Sequence, residues 1–444
     1  MVPNDECSRR LFLGASVAAM TGVAGCLGGG EARVDSQHPV ETTTEVTDAP
    51  LFVEDGCEPN AGPVSGDALT VDFDSRRLLG CQGLLFDDFE RIDRWQTYDG
   101  AMAAETTARD DGTQSVRLTA SDAERRAWIY RTFDDGIDLS EWDLSLAVHS
   151  GRGATRVDQF RLQVLAPDRH NRLDMWYPVT GVRGWVRLDF GPTQEVGAPD
   201  LTDVREIRLQ TWVGESEAGT CHVDELRVTP KLSEGGVVLT FDDISLSQYE
   251  NAFPIMQEYG YAGVAGAIPW LSEDDDRISV AQLTEMQAAG WDIVSHPQVE
   301  RPLPAYTAAG QERLLRKTKR WLVENGFASG ARFIIFPFGQ ADETTLNLAA
   351  RYHYLGFLGG RCPHGLLTGP LTVGRVNGDD VSTTGHVLQS AKRHRQIAVV
   401  MFHTVGAGGN RISTEEFRKT ITRIDELGLR VLTATDLWEL QPAT

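Results

Sequence analysis

Val237-Val238-Leu239-Thr240-Phe241-Asp242-Asp243 decides the fold of the C-terminal half of this chain. Its first five residues are apolar or β-branched without a break, which reads as a strand covered on both faces, as in a parallel sheet. The two carboxylates then stop the strand where it meets solvent. Working outward, a helix is expected over 247–259, a strand over 263–268 and a helix over 280–289. Strands over 291–295 and 333–336 lead into helices over 311–325 and 344–352. The strand 397–402 leads into a helix over 414–427, and a last strand, 429–433, precedes a helix over 436–440. Alternation of this kind predicts a parallel sheet with helices outside, open or closed into a barrel. In a barrel the chemistry gathers at the carboxyl ends of the strands. Polar residues stand there: Asp242-Asp243, His296, Pro337-Phe338-Gly339 and His403.

Upstream, residues 82–231 read differently. Ser115-Val116-Arg117-Leu118, Trp185-Val186-Arg187-Leu188 and Ile207-Arg208-Leu209-Gln210 alternate with period two between Gly- and Asp-rich turns. This predicts an antiparallel β-sandwich. Its opening Phe86-Asp87-Asp88-Phe89 and closing Val223-Asp224-Glu225-Leu226 resemble the edges of jelly-roll carbohydrate-binding modules. Trp95, Trp128, Trp142, Trp176, Tyr177, Trp185 and Trp212 all fall in this stretch. Flat rings suit the C–H faces of sugars, but a sandwich core also needs large fillers, and most of these rings are expected to be core.

Residues 1–26 read as an export signal rather than as structure. Arg9-Arg10 opens a short apolar run that ends at Ala24-Gly25-Cys26. The paired arginines resemble a twin-arginine signal and the run into Cys26 a lipobox, which implies lipidation of Cys26 and anchoring to the outer face of the cytoplasmic membrane. Residues 27–56, acidic and Thr-rich, read as a solvated tether. Residues 57–81 form a Cys-bounded segment. In an oxidising exterior Cys57 with Cys81 is the preferred pair, although four cysteines in the mature chain beyond the lipid site permit three pairings.

Composition narrows the partners. The 444 residues carry 64 acids against 42 bases, a net charge of -22, which repels phosphate backbones and argues against nucleic acid. Only five of the bases are lysines, Lys231, Lys317, Lys319, Lys392 and Lys419. An acid-rich, lysine-poor surface resembles proteins adapted to very high salt.

With these residues in place, the stretch 235–440 resembles the polysaccharide deacetylase (NodB-homology) domain of carbohydrate esterase family 4. The matches are Thr240-Phe241-Asp242-Asp243, Arg332 with Pro337-Phe338-Gly339, and Val399-Val400-Met401-Phe402-His403. The fold class implied is multidomain: an all-β jelly-roll sandwich followed by a distorted (β/α) barrel. The resemblance implies Asp242 as general base, Asp243 as metal ligand, Arg332 as the group that orients the base, and His403 as general acid. It also implies an oxyanion contact from the Phe338 backbone N–H within Pro337-Phe338-Gly339. Arg375, ahead of Asn377 and Asp379-Asp380, falls near where such domains carry a residue that tunes the base. The implied cofactor is a divalent metal such as Zn, Mn or Co, and the implied substrate an acetylated polysaccharide.

One motif departs from the pattern. Where the family has two metal-binding histidines four residues apart, this chain has His296 and Glu300. A helical turn begun at Pro297 would set both on one face and make a ligand set of Asp243, His296 and Glu300. Another residue completing the site, or a degenerate site, stays open at this point. Two further classes follow: a catalytically degenerate glycan-binding surface lipoprotein, and a metal-independent glycosidase using Asp242 and Glu300.

Overall fold

The computed structural model describes residues 52, 69–71 and 83–440, apart from 121–122, 124, 151–158, 180–183, 214–218, 361–362 and 407–410. The export signal, Cys26, Cys57, Cys81 and all of the tether except Phe52 lie outside the described residues; Phe52 packs on Phe86 and Trp142 rather than standing in solvent. Among the described residues no helix is long and apolar enough to cross a membrane.

The first part is built of two antiparallel six-stranded sheets. One runs Ala101–Glu105, Ser115–Thr119, Thr220–Pro230, Trp142–Ser150, Gly184–Asp189, with Leu84–Asp87 also paired to Thr220–Pro230. The other runs Gln194–Val196, Arg172–Pro178, Gln159–Leu165, Val204–Trp212, Arg126–Ile137, Gln96–Asp99. Period-two patterning sends alternate residues inward: Val116 and Leu118, Leu144, Leu146 and Val148 from one sheet meet Ile129, Leu162, Ile207 and Leu209 from the other in one buried cluster. Of the aromatics expected in this core, Trp95 and Tyr177 are buried, Trp128, Trp142, Trp176 and Trp185 are half-buried, and Trp212 is exposed.

The second part is a parallel sheet curled into a half-barrel. Its order is Leu355–Phe357, Phe333–Ile335, Asp292–Ser295, Val264–Ala267, Gly236–Phe241, Ile397–Phe402, Val376–Asn377. Arg430–Leu432 lies beside the start of Gly236–Phe241. The two ends of the curl come together through one isolated bridge, Phe357 to Val373. Gly236–Phe241 is buried at all six positions, as its unbroken apolar run requires. The expected helix over 247–259 divides into a wide π turn, Gln248–Ala252, and an α-helix, Phe253–Glu258, with a proline in its first turn. Three elements were not legible: the strands Leu355–Phe357 and Val376–Asn377, and the helix Val381–His394.

The sandwich and the half-barrel belong to one compact unit that spans 50–444. The Asp189 carboxylate accepts from the Thr368 N–H and hydroxyl and from the Gly369 N–H at 2.6 to 3.1 Å. Buried Asp143 accepts from Lys231 Nζ at 2.6 Å and from Gln396 Nε2 at 2.7 Å. The Tyr177 hydroxyl donates to the Thr372 carbonyl at 2.8 Å, and the Thr372 hydroxyl donates to the Arg187 carbonyl at 2.8 Å. Apolar contact runs across the same seam, since Phe336, Leu346, Leu358 and Leu371 join the cluster that fills the sandwich.

Candidate active site

Thr240-Phe241-Asp242-Asp243 ends its strand in strained backbone. Asp243 and Ile244 have φ of 70° and 44°, in the left-handed region that non-glycine residues rarely occupy. Phe338, at the end of the strand Phe333–Ile335, has φ of 60° and is 58% exposed. Strain of this kind persists only where the surroundings over-determine it, and it concentrates at sites that do chemistry. Gln248 ties the mouth together, because its Nε2 donates to the Asp242 carbonyl at 2.5 Å and to the His403 carbonyl at 2.6 Å.

Asp242 is 4% exposed and is gripped by Arg375, itself 5% exposed. Arg375 Nη1 donates to Oδ1 at 2.7 Å and Nη2 to Oδ2 at 3.0 Å, a two-pronged pair. Arg375 is fixed in turn by the Thr240 hydroxyl at 3.1 Å and the Leu358 carbonyl at 3.3 Å. Arg332, expected in this place, is elsewhere. Its Nε donates to the Ser329 carbonyl at 2.9 Å, and its guanidinium lies 5.3 Å from the Phe333 ring. The reason is register: Val376 and Asn377 pair with Val400 and Met401, level with Leu239 and Thr240, so the residue before them already stands beside the carboxyl end of Gly236–Phe241, whereas Arg332 sits at the amino end of its own strand.

Asp243 Oδ1 faces His296 Nε2 at 3.2 Å, and His296 Nδ1 donates to the Ile335 carbonyl at 2.9 Å. Burial alone would raise the Asp243 carboxyl, but the His296 ring, with His403 and Arg277, holds it down at about 2. For His296 burial pulls the other way, and Asp243, Asp242 and the Ile335 carbonyl overcome it, so the ring stays charged above its ordinary value. His403 receives a hydrogen bond at Nδ1 from Arg411 Nη1 at 3.3 Å. Arginine can only donate, so the proton of the neutral ring sits on Nε2. Arg411 is held by Asp379 at 2.9 Å.

Glu300 does not join this group. Residues 297–302 are irregular rather than helical, so the turn expected to carry Glu300 back toward His296 is absent, and its side chain is exposed. Among the described residues, no group of three or more His, Cys, Asp or Glu side chains is gathered that could hold a metal ion. The residues supply a pair, Asp243 and His296, with the ring anchored through its other nitrogen as a metal-binding histidine is. A catalytic divalent site takes three protein ligands, so the pair as placed does not fit one.

The sequence comparisons place this half of the chain. Residues 229–356 match the family model for polysaccharide deacetylase. The Bacillus subtilis (strain 168) protein YxkH, provisionally named a polysaccharide deacetylase, is 29% identical over 124 residues, covering 28% of this chain and 44% of that protein. The chain thus spans less than half the length of that relative. Among solved structures, a family 4 carbohydrate esterase from Streptomyces lividans in complex with acetate is 14% identical, covering 44% of this chain and 91% of that one at a TM-score of 0.34. The Streptococcus pyogenes deacetylase PplD in complex with acetate is 19% identical, covering 41% and 69% at 0.29. BA3943 of Bacillus anthracis, described as a family 4 pseudoenzyme, is 17% identical, covering 46% and 66% at 0.35. Over residues 229–356 the chain is thus similar to polysaccharide deacetylases.

Proposed function

We propose that the chain removes acetyl groups, N-acetyl groups of amino sugars in the first place, from a cell-surface or exported polysaccharide. The observation that carries this reading is the Asp242 carboxylate, buried at a strand end and locked by Arg375 beside the Asp243–His296 pair. The clamp uses one lone pair of each Asp242 oxygen and leaves another on each to accept a proton from water. That water forms the new C–O bond to the acetyl carbon as Asp242 takes its proton. The carbonyl electrons move onto oxygen, which a backbone N–H of the Pro337-Phe338-Gly339 turn would meet. The proton that Asp242 took from the water passes to the sugar nitrogen as the C–N bond breaks, with the His403 Nε2–H donating a hydrogen bond to the departing group, which releases acetic acid and a free amine.

Among the described residues the site brings together two metal-ligating side chains, Asp243 and His296, one fewer than a catalytic zinc site takes. That shortfall favours a second reading, a glycan-binding protein with a reduced site. Acetate release from N-acetylated oligosaccharides separates the two: release by the wild-type chain supports the first reading, and its absence alongside retained glycan binding supports the second.

The finer organisation belongs to the same proposal. The chain is read as exported, anchored through Cys26 and suited to strong salt, with a jelly-roll module ahead of the deacetylase domain. In that module some aromatic faces are already covered by guanidinium groups: Arg161 lies 4.4 Å from the Trp176 ring, and Arg126 and Arg208 lie 5.3 and 5.2 Å from Trp128. Tyr98, 67% exposed, and Trp212, 40% exposed, are the better candidates for stacking on sugar.

A further inference from the structure

The helix Ala308–Glu324 reverses the charge of the chain. It holds five bases, Arg313, Arg316, Lys317, Lys319 and Arg320, against two acids, Glu312 and Glu324, in a protein whose net charge is -22. A solvated helix face in such an acid-rich chain would be expected to carry acids. Instead Ala309, Glu312, Arg313, Arg316, Lys317 and Arg320 line a shallow, open groove along the outer face of this one helix. Glu312 offsets only part of this charge, because its carboxylate is shared with Arg351 at 3.9 Å, and it accepts from the Tyr352 hydroxyl at 2.5 Å. Arg313, Lys317 and Arg320 are exposed, and among the described residues none of them forms an ion pair or hydrogen bond. Lys317 Nζ stands 3.4 Å from the Trp270 ring, which is 40% exposed. Trp270 lies just past the carboxyl end of Val264–Ala267, the strand between those that deliver Asp242 and His296. The groove therefore begins at the rim of the mouth.

We propose that this groove binds the carboxylates of an anionic polysaccharide, with Lys317, seated on the Trp270 ring, as the cation nearest the point where the glycan enters the mouth. This rests on the deacetylase reading and deepens it by giving the substrate class: N-acetylated and acidic, as in a polymer that alternates amino sugars with uronic acids. The rest of the surface repels such a polymer, so a local cationic track is what lets it approach. Arginine forks meet carboxylates through paired N–H···O bonds, a contact-range interaction that is less dependent on long-range fields than steering is.

The test uses the full chain carrying Asp242→Asn, so that glycan is held rather than turned over, and fluorescent hyaluronan oligosaccharide as probe. Anisotropy should show binding that weakens as salt rises. The triple variant Arg313→Gln, Lys317→Gln, Arg320→Gln should lose about tenfold or more in affinity, with an unchanged melting temperature and unchanged weak binding of neutral chitohexaose. Equal affinity of the triple variant and its parent, or no binding of hyaluronan by either, would overturn the inference. So would binding to phosphatidylglycerol vesicles in place of the glycan, which would make the groove a membrane contact. Acetate release from chitohexaose by the wild-type chain tests the deacetylase reading separately, so a failure of one is not mistaken for a failure of the other.

Discussion

Arg375 is the residue on which the site turns. Replacing it with alanine leaves the Asp242 carboxylate buried without its partner, which costs about 3–5 kcal/mol of stability in addition to the loss of reaction. Arg332→Ala removes one bond to a backbone carbonyl and should change stability by about 0.5–1.5 kcal/mol, with acetate release retained. Urea unfolding and acetate assays on the two variants check both outcomes, and a silent Arg375→Ala with an inactive Arg332→Ala would reverse the assignment. Acetate release separates Glu300 from His296 in the same way. Glu300→Ala, at an exposed position outside the site, should keep it within about twofold of the wild type, whereas His296→Ala removes the partner of Asp243 and should lower it about tenfold or more. Asp242, Asp243, His296 and His403 were legible in the sequence because each is a polar residue that ends an apolar strand. Arg375 was visible only through the resemblance, as a residue ahead of Asn377 and Asp379-Asp380 near where such domains carry one that tunes the base, since a clamp made from another strand depends on the curl of the sheet and not on spacing. Glu300 was misplaced because the i, i+4 argument needs a helix, and Pro297 starts none.

At the scale of elements, the strand Thr220–Pro230 carries a pH signature. Burial, with Glu225 and Asp110 nearby, pushes the Asp224 carboxyl up to about 7 despite the Asp110 and Asp111 N–H groups that donate to it. A group that holds its proton more tightly when folded stabilises the fold at low pH and loses that contribution as pH rises. Asp224 should therefore reduce stability as pH rises from about 4, its unfolded value, to about 7. Asp224→Asn should remove that slope from the pH profile of urea unfolding, and an unchanged slope would contradict it. The helix Thr414–Leu427, whose bounds the sequence predicted, shows why some elements were easy to read. Ser413 and Glu416 form a reciprocal cap, and Gly428 closes the helix at φ of 58°. Ser413→Ala should cost about 1 kcal/mol by thermal unfolding. Val381–His394 was missed because β-branched residues and Gly385 dilute its helical signal, and its start depends on the Asp380 cap, which accepts from the Thr383 N–H. The strands Leu355–Phe357 and Val376–Asn377 are too short to show any period.

At the scale of the whole molecule, the sandwich is part of what supports the site. The loop 368–373 that precedes Arg375 is pinned by Asp189, Arg187 and Tyr177 of the sandwich. The full chain should unfold in one calorimetric transition, and a half-barrel expressed from residue 232 should expose Phe336, Leu346 and Leu371 and aggregate. Two separate transitions would show that the seam contributes little. The central claim is that the clamped Asp242 carboxylate performs acetyl hydrolysis. Its most direct test is acetate release from an N-acetylated oligosaccharide by the wild-type chain and by Asp242→Asn, both shown to be folded by circular dichroism. The account predicts release by the wild type and a loss of about a hundredfold or more in the variant. Equal release from both, or none from the folded wild type, would contradict it.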